Sequence, residues 1–124
     1  MRAVVVDPAQ PNRLTLQEVA LPSPGPGEAI VRVASFSLNL GETRNAMTAA
    51  AGARPGWDLA GTVELAAANG SGPAPGTRVV GVLRSGAWAE LVAVPTNALA
   101  PLPEGVTFAQ ASTLPVAGLT ALYG

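Results

Sequence analysis

The chain has 124 residues, 48% hydrophobic and 12% charged, with a net charge of −1. That balance is too apolar for a disordered segment and leaves no electrostatic footprint for nucleic acid or an anionic membrane. Cysteine and histidine are both absent, which excludes disulfides, thiolate and imidazole metal ligands, and Ser-His or Cys-His nucleophile pairs.

Short segments between closely spaced breakers predict many strands and few helices. "RAVVVD" (2–7) and "LTLQEVAL" (14–21) are the first two strands. "PSPGPGE" (22–28) is a rigid turn, because its three prolines cannot sit inside a ladder. "AIVRVASFSL" (29–38) is a long strand with Val31, Val33 and Ser35 on one face and Ile30, Arg32, Ala34 and Phe36 on the other. "GETRNAM" (41–47) is one or two turns of helix, and "TAAAGARPG" (48–56) a loop of small residues.

"WDLAGTVELAA" (57–67) is a strand with an internal glycine, the mark of a bulge or a close backbone approach. "TRVVGVL" (77–83) and "AWAELVAVP" (87–95) pair as a hairpin across "RSG", with Trp88 packed in the core or at its rim. A short extended piece follows at 98–105. Thr107 and Gln110 then stand at capping-box spacing before a short helix, and Pro115 opens a second helix that runs to Gly124. Six or more strands followed by terminal helices predict an antiparallel barrel. The apolar face of Leu119, Leu122 and Tyr123 is expected to be exposed, as at a domain junction cut through.

"GSGPAPG" (70–76) superficially resembles a phosphate loop, but its prolines remove N–H donors and a strand follows it, not a helix N-terminus. No stretch reaches the roughly 18 apolar residues of a membrane helix. The N-terminus lacks a signal-peptide pattern, so a cytoplasmic location is expected.

"PSPGPGEAIVRVASFSLN", "RPGWDLAGTV", "PGTRVVGV", "GAWAELVAVP" and "LPEGVTFAQASTLPVAGLTALYG" occur in that order. In this order and spacing the chain resembles the GroES-like N-terminal domain of the medium-chain dehydrogenase/reductase superfamily, in its zinc-independent quinone oxidoreductase branch. The resemblance implies a mainly β fold with short helices, a partly open barrel over residues 1–124. Residues 107–124 would begin the linker helices toward a Rossmann domain that this chain does not contain. It implies hydride transfer from NADPH or NADH to a quinone or an activated alkene or carbonyl, with the Rossmann domain supplied in cis or in trans and a possible homo-oligomer. The isolated chain is then expected to be inactive and to bind no cofactor tightly.

Zinc-dependent members of that superfamily carry Cys in the segment matching "SLNLGET" and Gly-His-Glu in the segment matching "PGWDLAG". Asn39 stands here in the Cys place, Trp57 in the His place and Asp58 in the Glu place. An amide and an indole do not replace a thiolate and an imidazole, so no metal is expected. The resemblance places Asn39 beside the nicotinamide, with a helix cap as its other reading. It places Thr120 near the same end of the cofactor, with a helix-surface hydroxyl as the alternative.

Thr43 is a candidate cleft hydroxyl, and Trp57 a cleft wall for a flat substrate or the nicotinamide. Asp58 is a structural acceptor at the turn. Glu42 matches a shorter acid near the substrate pocket and is taken as a solvated helix-face acid, while Arg44 falls where some relatives have a Tyr. The alternative to a reductase half is a non-catalytic GroES-like binding or interaction module.

Overall fold

Residues 1–123 are described by a computed structural model. Strand β1 (Arg2–Val6) pairs antiparallel with β2 (Leu14–Glu18) in a two-stranded sheet. The remaining strands are β3 (Glu28–Phe36), β4 (Asp58–Leu65), β5 (Arg78–Val82), β6 (Leu91–Pro95) and β7 (Leu99–Pro101). They form one antiparallel sheet in the order β6-β3-β4-β5-β7. Pro95 and Pro101 both fall on edge strands, where a missing N–H breaks no ladder. The sheet curls into a partly open barrel, mainly β with short helices, as expected.

The two sheets are joined by Ala87–Glu90. The Val4 N–H donates to the Trp88 carbonyl at 2.9 Å, Ala3 bridges Ala89, and the Val33 N–H donates to the Glu90 carbonyl at 2.9 Å. The core inside this closure includes Val31, Leu59, Val63, Val79 and Val94, all 1% exposed or less. Trp88 is 3% exposed and belongs to that core.

The expected hairpin between 77–83 and 87–95 does not form. β5 pairs with β4 and β7, and β6 pairs with β3. The link between them is held elsewhere: Leu83 N–H bonds the Trp57 carbonyl at 2.6 Å, and Ala87 N–H bonds the Gly56 carbonyl at 3.2 Å. Those partners lie some thirty residues away in sequence, so the link crosses to the other side of the barrel without folding back on β5.

β3 breaks its alternation. Ala29, Ile30 and Val31 are all buried, because its pairing with β4 slips between Ile30 and Val31 and again between Val33 and Ser35. The glycine inside β4 explains the second irregularity. A Cβ on Gly61 would lie 2.1 Å from the Arg32 carbonyl oxygen, so only glycine permits this approach.

Helix α1 (Leu40–Ala46) follows β3, and α2 (Phe108–Ser112) follows β7. The capping box at Thr107 and Gln110 is present: the Gln110 N–H donates to Thr107 Oγ1 at 3.1 Å, and the Thr107 N–H donates to Gln110 Oε1 at 3.0 Å. The second terminal helix is not one element. Leu114–Gly118 is a π-helical turn, and α3 (Leu119–Tyr123) follows it. Pro115 supplies no N–H at the start of that turn, which favours the irregular winding. Gly124, the last residue of the expected helix, lies outside the described residues. Leu119, Leu122 and Tyr123 are 51%, 71% and 82% exposed, in line with expectation.

Candidate functional site

The chain leaves β3 at Ser37 and enters α1 through Asn39, whose extended backbone (φ −104°, ψ 146°) makes it the N-cap. The Asn39 N–H donates to Glu42 Oε1 at 2.5 Å, as in a capping box. Glu42 Oε2 accepts the Trp57 N–H at 2.7 Å. Glu42 therefore ties the start of α1 to the residue that precedes β4. It is 1% exposed, which corrects its assignment as a solvated helix-face acid. The two N–H donors make burial tolerable. Burial pushes the Glu42 carboxyl above the ordinary value; the N–H bonds from Asn39 and Trp57 act against that rise, and the nearby charge of Asp58 adds to it.

Asp58, fully buried at the head of β4, is a second hub. Its Oδ1 accepts the Ser37 hydroxyl at 2.5 Å and the Asn39 Nδ2 at 3.5 Å. Its Oδ2 accepts the Val116 N–H at 3.3 Å. One carboxylate thus joins the end of β3, the cap of α1 and the π-helical turn. The Ser35 and Ser112 hydroxyls, 2.9 Å apart, make a parallel tie from β3 to α2.

Trp57 lies just outside β4 and is half-buried. Its six-membered ring rests on Gly41: a Cβ there would meet Cη2 at 2.4 Å. Glycine in the first turn of α1 is what lets the edge of the indole approach the helix this closely. Trp88 supports the same corner from the core, donating Nε1–H to the Ser37 carbonyl at 3.1 Å and stacking on Phe36 with ring centres 5.6 Å apart.

The structure brings Asn39, Trp57 and Asp58 together around Glu42. Thr43 is exposed on α1, and its hydroxyl donates to its own helix at the Leu40 carbonyl, 2.8 Å away. Thr120 is exposed on α3, one turn beyond Val116. Ser37 is the residue that sequence reasoning passed over, and Glu42 the one it placed on the solvated face. The Asn39-x-x-Glu42 spacing was the available signal, since it is a capping-box pattern.

This donor set does not fit a zinc ion. The four carboxylate oxygens of Glu42 and Asp58 are each engaged by N–H or O–H donors, and the remaining groups are an amide and an indole. Among the described residues no three His, Cys, Asp or Glu side chains cluster as metal ligands. For a nicotinamide the fit is better. Asn39 is partly exposed and uses Nδ2 toward Asp58; its amide oxygen faces the Glu42 N–H in the capping box and keeps a second lone pair to accept from a carboxamide.

A family model described as the alcohol dehydrogenase GroES-like domain matches residues 25–104, more than half of the chain. The chain is 38% identical over 112 residues to the pikromycin polyketide synthase component PikAII of Streptomyces venezuelae, covering 86% of this chain and 3% of that protein. It is 40% identical over 119 residues to the trans-enoyl reductase opdC of Penicillium oxalicum, covering 83% of this chain and 32% of that protein. The structure matches the quinone oxidoreductase of Thermus thermophilus, a protein also solved in complex with NADPH. That match has a TM-score of 0.81 and 31% identity, over 98% of this chain and 39% of the other. The chain therefore spans well under half the length of each of these relatives.

Proposed function

This chain belongs to the alcohol dehydrogenase GroES-like domain family, and from that premise we propose that it is the substrate-side domain of a zinc-independent, NAD(P)H-dependent reductase of quinones or activated alkenes. The observation that carries the reading is the corner at Asn39, Trp57 and Asp58. Its carboxylates are consumed by structural hydrogen bonds and an indole forms its wall, so it offers a flat apolar surface beside an amide in place of a Lewis-acid site. A conjugated acceptor suits such a site, because its delocalised product needs only hydrogen bonds for charge stabilisation. The names of the relatives, an enoyl reductase and a quinone oxidoreductase solved with NADPH, support the same class.

Bound NADPH would supply the hydride. The amide oxygen of Asn39 would orient its carboxamide, with the Thr120 hydroxyl on α3 as a second contact. Trp57 would pack on the flat acceptor and exclude water from it. No side chain in this corner is placed as a general acid, and solvent would supply the proton. The cofactor's phosphates would be held by a Rossmann domain, in cis or in trans, and the isolated chain would be inactive.

The test is NADPH oxidation by this chain combined with its nicotinamide-binding half, over a panel of quinones and enones, with and without a metal chelator. Turnover that is indifferent to the chelator is expected. Loss with the chelator and recovery on adding zinc would overturn zinc independence. No oxidation of NADPH with any acceptor would favour a non-catalytic binding module.

A further inference from the structure

A pocket of about 140 Å³ opens beside Trp57, on the side of the corner facing the loop 49–56. Its polar lining comprises Glu42, Asn45, Arg54, Arg84 and Ser85. Pockets for whole drug-sized ligands run from roughly 300 Å³ upward, so this one has room for a head group only. Alanines at 46, 49 and 53 keep the space open.

The two arginines set its chemistry. Arg54 Nε is buried and has no hydrogen-bond partner among the described residues. Shut off from solvent, Nε itself cannot touch a molecule in the pocket; the terminal nitrogens of the same guanidinium, which make no hydrogen bond among the described residues, are the groups available to an acceptor. Arg84, an exposed residue, lines the same pocket. Among the described residues, Arg2 and Arg32 are paired with acids, whereas Arg54 and Arg84 form no ion pair. Arg13 and Arg78 donate to backbone carbonyls. Glu42 also lines the pocket, but its two oxygens are already taken by the N–H groups of Asn39 and Trp57.

The walls are fixed. Leu83 N–H to the Trp57 carbonyl sets the backbone just before Arg84, and Trp88 N–H to the Pro55 carbonyl at 3.3 Å sets the backbone just after Arg54. Gly56 makes that approach possible: its φ is +117°, and a Cβ there would lie 2.6 Å from Trp88 N. Arg13 holds the other wall through the carbonyls of Ala46 and Ala49, at 3.1 and 2.8 Å. A preformed pocket with two guanidinium groups outside any ion pair among the described residues, against the single carboxylate of Glu42, and with flanking Asn and Ser donors is suited to an oxyanion.

We propose that Arg54 and Arg84 bind the anionic head group, a carboxylate or a phosphate, of the molecule that lies against Trp57. That this molecule is the reductase substrate rests on the function proposed above; anion binding itself does not.

The test is a titration of the chain with inorganic phosphate and, separately, with acetate, at ionic strength held constant with chloride. The Arg54 Nε–H and Trp57 indole signals are followed by NMR. Saturable shifts are expected, and the probe that saturates at lower concentration identifies the head group. Arg84→Gln should weaken binding about tenfold, the worth of one charge-assisted hydrogen bond. Arg84 is exposed, so this variant is expected to fold. Arg44→Gln, exposed on α1 outside the pocket, should bind as the parent does. Non-saturating shifts, or equal weakening by Arg44→Gln and Arg84→Gln, would overturn the proposal, the first leaving Arg54 to a water and the second leaving only general charge screening.

A second arm compares an enoyl carboxylate with a neutral enone in the hydride-transfer assay. Arg84→Gln should raise KM about tenfold for the first and leave the second unchanged. Equal effects on both would remove the substrate assignment. Saturable phosphate or acetate binding without any reductase activity would refute the reductase function and leave the anion site standing.

Discussion

Replacing Gly41 by alanine tests the seat of Trp57 directly. The new Cβ would sit 2.4 Å from Cη2 and 3.1 Å from Cζ3 of the indole. Comfortable carbon–carbon contact begins at about 3.5 Å, so the ring must withdraw by about 1 Å. It cannot slide freely, because the Trp57 N–H is held by Glu42 and its carbonyl by the Leu83 N–H. Overpacking of this kind costs about 1–3 kcal/mol. Alanine returns at most about 1 kcal/mol of helix propensity, and less in the first turn. The expected net loss is about 1 kcal/mol in urea unfolding followed by circular dichroism, with a shift in tryptophan emission. In a Trp57→Leu background the clash is gone and Gly41→Ala should be neutral or mildly stabilising, a coupling of about 1–2 kcal/mol. Equal stabilisation by Gly41→Ala in both backgrounds would refute the contact between α1 and the indole.

The raised Glu42 carboxyl makes stability depend on pH. The folded chain holds this proton more tightly than the unfolded chain, so the contribution is full below the ordinary value of 4.5 and is lost as pH climbs through the raised one. In Glu42→Gln that fall should vanish from denaturation midpoints collected between about pH 4 and 8; an unchanged pH profile would show that Glu42 is not its source. Asp58→Asn keeps the shape but puts a donor where an acceptor was, so one of its bonds to Ser37, Asn39 or Val116 fails. A cost of about 1–3 kcal/mol and faster hydrogen exchange at the Val116 amide are expected. Unaltered exchange at Val116 would mean that Asp58 does not hold the terminal helices. Gly61→Ala drives a Cβ to 2.1 Å from the Arg32 carbonyl oxygen, backbone against backbone. A loss above about 3 kcal/mol is expected, and a parental melting temperature would exclude the close approach of β3 and β4.

The strands and the terminal capping box were legible in the sequence because each depends on neighbours a few residues apart. Thr107 and Gln110 find each other across three residues whatever the rest of the chain does. Gly61 announced a close approach, since a glycine within an otherwise β-branched and apolar strand has few other uses. The partner strand was a different matter. Segment 77–83 and segment 87–95 have the pattern and spacing of a hairpin, and local pattern cannot show that the link between them is claimed by Gly56 and Trp57.

The candidate site divides along the same line. The resemblance read from the sequence aligned Asn39, Trp57 and Asp58 with the Cys and Gly-His-Glu segments of zinc-dependent members, and the sequence set the residue types from which zinc chemistry is judged. It could not say that Glu42 is buried. The charge of an acid predicts exposure, and only two N–H donors, one from a residue fifteen positions away, reverse that. Nor could it pair Arg54 with Arg84, which lie thirty positions apart and line one pocket because Leu83 anchors on Trp57 and Trp88 on Pro55. Composition and short-range pattern determine which elements form and what chemistry is possible; long-range backbone hydrogen bonds decide which of those side chains share a pocket.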